Sequence, residues 1–173
     1  MRRIAITVCW LCTAAVVGAA EPAGEYEVKA AYLYNFANFV TWPPAAFDGA
    51  NSPFRVCIAS PDPFGPAIAD TMATEAIDGH AVTVERIGGA AGLRRCQILF
   101  VPAGASNGAE LLRALGDAPV LAVGESDRFL RDGGTIRLVV ENGHVTFEIN
   151  RTSATRRGLM VSSRLLGVAR RVM

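Results

Sequence analysis

Two stretches of this chain, Gln97-Ile98-Leu99-Phe100-Val101 and Val120-Leu121-Ala122-Val123, are apolar at almost every position, and Phe54-Arg55-Val56-Cys57-Ile58-Ala59-Ser60 is a third run rich in strand formers. A strand that faces water on one side alternates apolar and polar residues. A strand apolar on both sides must be covered on both faces. Helical patterns separate the runs: Phe64 to Ala76 with Phe64, Ala67-Ile68, Met72 and Ala76 in step, and Asn107 to Leu115 with Leu111, Leu112 and Leu115. Glu25 to Val40 reads as a further helix, stopped by Trp42-Pro43-Pro44, and it gathers much of the aromatic content: Tyr26, Tyr32, Tyr34, Phe36, Phe39 and Trp42. Most of these rings should be core, and part of that face could meet a partner.

The remaining segments fill in the order. His80 to Ile87 alternates as a strand after an Asp78-Gly79 turn. Ser126 caps a single turn through Phe129-Leu130, closed by Gly133-Gly134. Thr135 to Glu141 and His144 to Ile149 flank Asn142-Gly143, a strong hairpin signal because both turn positions need positive φ. Thr152 to Val172 reads as one last helix, with Asn150 as its N-cap. The predicted fold class is α/β: a single three-layer domain, a mixed sheet with helices on both faces and an antiparallel edge hairpin.

The start of the chain is of another kind. Met1-Arg2-Arg3, an uncharged run from Ile4 to Val17, and Gly18-Ala19-Ala20 before Glu21-Pro22 have the three-part pattern of a secretory signal peptide. The run is short for a membrane span, and small residues and an acid follow it. Residues 1–20 are therefore expected to be removed, leaving one domain over residues 21–173, and no other stretch is long enough to cross a bilayer. That domain keeps 15 basic against 16 acidic side chains. Without a basic excess nucleic acid is disfavoured as a partner, and the 51% hydrophobic content argues against disorder. Cys57 and Cys96 are the cysteines left after cleavage. Two cysteines in an exported chain invite a disulfide, the alternative being two separate buried thiols.

Chemistry is sparse. His80 and His144 have no Cys, Asp or Glu at ligand spacing, so neither a metal nor another cofactor is expected. No Gly-x-Ser-x-Gly elbow occurs, and two histidines in strand or hairpin positions give a triad little to draw on; an enzyme is not expected. Gly88-Gly89-Ala90-Ala91-Gly92 joins two strands rather than a strand and a helix, which suits a surface loop and not a dinucleotide fingerprint. Two candidate sites remain. Ligands of open α/β sheets bind beyond the carboxyl ends of the strands, which nominates a crevice of Ser60, Asp62, Ser106 and Ser126. The last 23 residues hold Arg151, Arg156, Arg157, Arg164, Arg170 and Arg171 and no acid. In the predicted helix Arg151, Arg156 and Arg157 sit in the first turns, against the helix dipole, which nominates them as a surface for an anionic partner.

Four stretches also carry a resemblance. They are Lys29-Ala30-Ala31-Tyr32-Leu33-Tyr34-Asn35-Phe36 with Phe39-Val40 and Trp42-Pro43; Phe54 to Ile58 with Asp62-Pro63-Phe64-Gly65; Cys96 to Val101; and Gly133 to Ile136 with Phe147 to Asn150, Gly158-Leu159 and Ser162 to Leu166. In this order they resemble the YfiR family of periplasmic proteins over nearly all of the domain. The resemblance implies a compact α/β domain that can form a homodimer, and a structural disulfide at Cys57 and Cys96. A second bridge found in some relatives has no counterpart here. It also implies a repressor of an inner-membrane diguanylate cyclase, acting through that enzyme's periplasmic domain on cyclic-di-GMP and biofilm formation, and held off in some relatives by an outer-membrane lipoprotein. The alternative is a periplasmic small-ligand-binding or sensing protein for a histidine kinase or transporter.

Overall fold

The computed structural model describes residues 23–72 and 75–173; the expected signal peptide lies outside the described residues. The chain runs α1 (Ala23–Phe39), β1 (Val40–Thr41), β2 (Phe54–Ala59), α2 (Ala67–Met72), β3 (Ala76–Ile77), β4 (His80–Ile87), β5 (Ile98–Val101), α3 (Gly108–Leu115), β6 (Leu121–Gly124), β7 (Ile136–Glu141), β8 (His144–Ile149), α4 (Arg151–Arg156), β9 (Met160–Val161), α5 (Ser163–Val168) and β10 (Arg171–Val172). Eight strands form one sheet in the order β10-β8-β7-β6-β5-β2-β4-β3, and β1 pairs with β9 in a separate small ribbon.

Five neighbouring strands, β4-β2-β5-β6-β7, are parallel. Their apolar residues split by parity, as a strand covered on both faces requires. Phe54, Val56, Ile58, Ile98, Phe100, Leu121, Val123, Ile136 and Leu138 face one core with α1, α2, α4 and α5. Cys57, Ala59, Leu99, Val101 and Ala122 face the other with α3, Phe129 and Leu130. The chain steps from β2 outward to β4, then returns through β5, β6 and β7 the other way. Crossovers of one hand then put α2 and α3 on opposite faces, as observed. Each large side chain buried completely in these layers contributes about 1.5–3 kcal/mol.

Cys57 and Cys96 are joined by a disulfide with their Cα atoms 5.9 Å apart, inside the α3-side core. Beside it the buried Gln97 closes the lower end of the sheet. Its side-chain oxygen accepts from Arg55 N at 2.6 Å, and its main-chain oxygen accepts from Trp42 Nε1 at 3.1 Å. Of the aromatics on and after α1, Phe36 and Trp42 are buried, while Tyr26, Tyr32, Tyr34 and Phe39 are partly so.

Three segments differ from the sequence reading. The helix expected from Phe64 to Ala76 is described over Ala67–Met72, and Ala76-Ile77 instead pairs antiparallel with Ala81-His80. Asp78 at φ 49 and Gly79 at φ 83 make that turn a second two-residue hairpin. The Asn142-Gly143 hairpin forms as expected, in full register from Glu141↔His144 to Ile136↔Ile149, but β10 adds beyond it and takes the edge. The helix expected from 152 to 172 is broken. Gly158 at φ +69 ends α4, a strand follows, and the Ser162 side chain caps α5 by accepting from Leu165 N at 3.2 Å.

Candidate functional site

The break after α4 rearranges the predicted arginine surface. Asn150 caps α4 by accepting from Ser153 N at 2.9 Å. Arg151 and Arg156 are exposed, and Arg156 lies 3.6 Å from Asp117. Arg157 is withdrawn from the surface: only 3% exposed, it donates to Gly133 O at 2.9 Å, to Thr135 Oγ1 at 3.3 Å and to Ser153 Oγ. Its Nε has no hydrogen-bond partner. Burial, and then the charge of Arg156, lower its pKa from the usual arginine value. Arg156 stands at the C-terminal end of α4, which suits a cation, so of the proposed trio Arg151 alone opposes the helix dipole. Around α4 the surface carries two hollows that share Arg151 and Thr155. One, of about 310 Å³, reaches Met160 and Val161; the other, of about 550 Å³, reaches Thr152, Arg156 and Met173. Met160 is 66% exposed, which leaves a large apolar side chain in water at the hollow it shares with Arg151.

The predicted crevice residues do not line the cavities around α4 or beside β7. Sheets with this parallel strand order switch direction between β2 and β5, where a ligand is expected. There Ser60 donates to Ile87 O at 3.4 Å. Asp62 accepts from Phe64 N at 2.8 Å and from Arg86 Nε at 2.7 Å, so it shapes the turn. The Pro61 ring stands 3.4 Å from where a Cβ on Gly104 would sit, across the mouth of the switch point. Ser106 and Ser126 are exposed, and the Ser126 carbonyl accepts from Phe129 N at 2.9 Å.

An open cavity of about 360 Å³ lies one strand over, at the carboxyl ends of β5 and β6 beside β7. Its floor is ionic. Lys29 of α1, only 4% exposed, donates to both Glu25 and Glu125 and stands 4.3 Å above the Tyr26 ring. Glu125 also accepts from Ala103 N at 2.8 Å and from Tyr26 Oη at 3.5 Å. Burial alone pulls the Lys29 pKa down, but the bonds to Glu125 and Glu25 outweigh it and the net shift is upward from 10.5. On the far side Arg137 donates to Asp127 at 2.7 Å and to the buried Glu148 at 3.4 Å. A second hollow of about 580 Å³, between α1 and the hairpin tip, shares Glu25 and Val140 with the first and is walled by Val28, Val145 and His144. A polar Lys29 within an otherwise apolar helix stripe was the signal for this cluster; the switch-point rule pointed elsewhere.

The two histidines stay apart from this cavity's floor. His80 stacks on Phe47 at 4.2 Å with Nδ1 2.6 Å from Ser52 O. Among the described residues no three His, Cys, Asp or Glu groups converge as a metal site would need, and no helix is long and apolar enough to cross a membrane.

No curated protein matches the chain. Among solved structures, a conserved domain protein from Vibrio cholerae superposes with a TM-score of 0.53 at 13% identity. The match covers 86% of this chain and 60% of that one, so this chain spans three fifths of that protein's length and the likeness is one of fold. A family model described as YfiR/HmsC-like matches residues 26–170, from within α1 to the residue before β10. The chain belongs to the YfiR/HmsC-like family.

Proposed function

We propose that this protein is a periplasmic regulator that docks on a membrane-bound signalling protein, a diguanylate cyclase with a periplasmic domain in the first instance, and represses it. The observation that carries the reading is the family match over residues 26–170. In this reading the chain is exported by its N-terminal signal peptide and has no catalytic role of its own. It acts on cyclic-di-GMP and biofilm formation through contact, alone or as a homodimer, and an outer-membrane lipoprotein competes for it.

The charge distribution supports a contact mechanism. From residue 88 onward the sequence has 12 arginines against 7 acids. The hollows around α4 set Arg151 and Arg156 beside Met160 and Met173. Arginine with exposed methionine is the composition of an interface, and it selects an acidic partner surface with an apolar centre. The test is affinity purification of the tagged protein from cross-linked envelopes, with an Arg151→Glu/Arg156→Glu variant alongside. Both side chains are exposed, so the variant should fold normally. We expect an inner-membrane signalling protein to co-purify with the parent, to fall at least tenfold with the variant, and to weaken as salt rises. Absence of any membrane partner overturns the regulator reading; an unaffected variant moves the contact away from α4.

A further inference from the structure

One strand of the parallel sheet stops early. β6 ends at Gly124, which pairs with Val101 of β5 on one side and Arg137 of β7 on the other. Beyond that level β7 runs on through residues 138–141, and the β5 side continues to Ala103. Neighbouring strands lie about 4.8 Å apart. The strip above Gly124 is therefore about two spacings wide, the room one further strand needs, and it is the cavity walled by Ala103, Leu138, Val139 and Val140.

The hairpin fixes which main-chain groups face this slot. With Asn142 at φ 51 and Gly143 at φ 78 the turn is type I′, so Glu141 and His144 form its closing hydrogen-bonded pair. Bonding alternates along an antiparallel pair. Arg137 and Val139 thus turn their N–H and C=O toward β8; the Leu138 N–H meets the end of β6 at Gly124, and the Leu138 C=O and both main-chain groups of Val140 turn toward the slot. The two faces of the slot differ. Leu138 belongs to the α1-side core, so Val140, two residues on, faces the same side, into the apolar hollow with Val28 and Val145. Arg137 and Asp127 occupy the opposite side. Three carboxylates, Glu25, Glu125 and Asp127, line the slot against two cations, Lys29 and Arg137.

We propose that this slot receives an extended segment of a partner protein, about four residues long and alternating apolar and basic, which continues β6 by pairing with the Leu138–Val140 edge. Main-chain bonds hold the segment, as in other cases of strand addition. Its apolar side chains enter the hollow beside Val28, and its cations lie on the side of Asp127 and Arg137, in a lining whose carboxylates outnumber its cations by one. The inference goes beyond the regulator reading, since the slot lies at the opposite end of the strands from α4, and its test needs no membrane protein.

The purified, oxidised protein, labelled with ¹⁵N, is titrated with acetyl-Val-Lys-Val-Lys-Val-amide, with the counterpart bearing Glu for Lys, and with acetyl-lysine-amide. We expect saturable amide shifts at Leu138–Glu141 and slowed exchange of the Val140 N–H with the Lys peptide, and at least tenfold weaker binding of the other two. Val140→Pro deletes the N–H that faces the slot while leaving the β7–β8 ladder whole, and should weaken the Lys peptide at least tenfold. Should that variant not fold, Asp127→Lys, at a side chain 89% exposed, should weaken the Lys peptide and strengthen the Glu peptide. Equal binding of the Lys and Glu peptides, equal binding of acetyl-lysine-amide, a folded Val140→Pro variant that binds like the parent, or no saturable shift at millimolar peptide each overturns the proposal.

Discussion

Lys29 is an ammonium almost out of water with two carboxylates on it. One of these, Glu25, is a turn earlier on α1; the other, Glu125, follows β6, so the pair ties the first helix to the centre of the sheet. Taking away one charge of a buried pair strands the other, which costs more than the pair itself gains. We expect Lys29→Met to lose about 3 kcal/mol in urea unfolding, and Lys29→Met with Glu125→Gln to lose less, since no buried carboxylate is then left facing an empty site at Glu125. The pH dependence follows from the upward shift. A group whose folded pKa is raised stabilises the fold fully below its unfolded value and loses that contribution as pH climbs through the folded one. The parent should therefore lose stability above about 10.5 more steeply than Lys29→Met, read as urea midpoints across an alkaline series. A variant with an identical alkaline limb would show that the pair does not hold the proton more tightly in the fold.

At the scale of elements, the connection from β6 to β7 depends on how closely Phe129 is gripped. A Cβ on Gly134 would stand 2.2 Å from the Phe129 ring and 2.8 Å from its carbonyl oxygen; one on Gly124 would stand 2.4 Å from the same ring. Backbone cannot yield as a flexible side chain does, so Gly134→Ala should cost about 1–3 kcal/mol as overpacking, seen as a lowered melting temperature. A variant as stable as the parent would mean that the turn repacks freely. The sequence made this turn visible through Ser126, Phe129 and Gly133-Gly134 but not the reason for the glycines, which is a ring brought back against them. The same divide runs through the other elements. Strands apolar on both faces, and the Asn-Gly hairpin, were legible because period and turn chemistry are local. The last helix was misread because apolar residues at helical spacing continued through it; Gly158 and the Ser162 cap, both plain in the sequence, were outvoted by that stripe. The edge pair β3–β4 was hidden likewise under a helical pattern from Phe64 to Ala76. Arg157 could not be placed from sequence at all, since its burial depends on the carbonyl of Gly133, which the sheet brings beside α4.

Among the described residues one covalent link closes the molecule across the centre of its sheet. β2 and β5 are adjacent, with Cys57 in register with Leu99, and Cys96 stands just before β5. The bridge therefore spans the switch in chain direction, and its loop of 39 positions contains α2, β3 and β4. Cross-linking across such a loop removes conformations from the unfolded chain, worth about 4 kcal/mol in the chain-entropy account. Typical domains have only about 5–15 kcal/mol in total, so the bridge is a large share of the whole. Its sulfurs are nonetheless packed among Leu93, Leu99 and Val120, a core that two thiols or two methyl groups can also fill. We expect Cys57→Ala/Cys96→Ala to fold to the same sheet, with unchanged far-UV circular dichroism, and to unfold at a urea midpoint lower by about 2–4 kcal/mol of stability. Reductant should lower the parent's midpoint toward that of the variant and leave the variant alone. If reductant moved both equally, or neither, the bridge would not be what closes the fold. The same comparison bears on the compartment proposed above, since structural disulfides persist where the surroundings are oxidising. Thiol labelling of intact cells should then find the parent protein blocked at both positions, whereas a pool labelled at Cys57 and Cys96 would place it in the reducing interior and remove the ground for a periplasmic role.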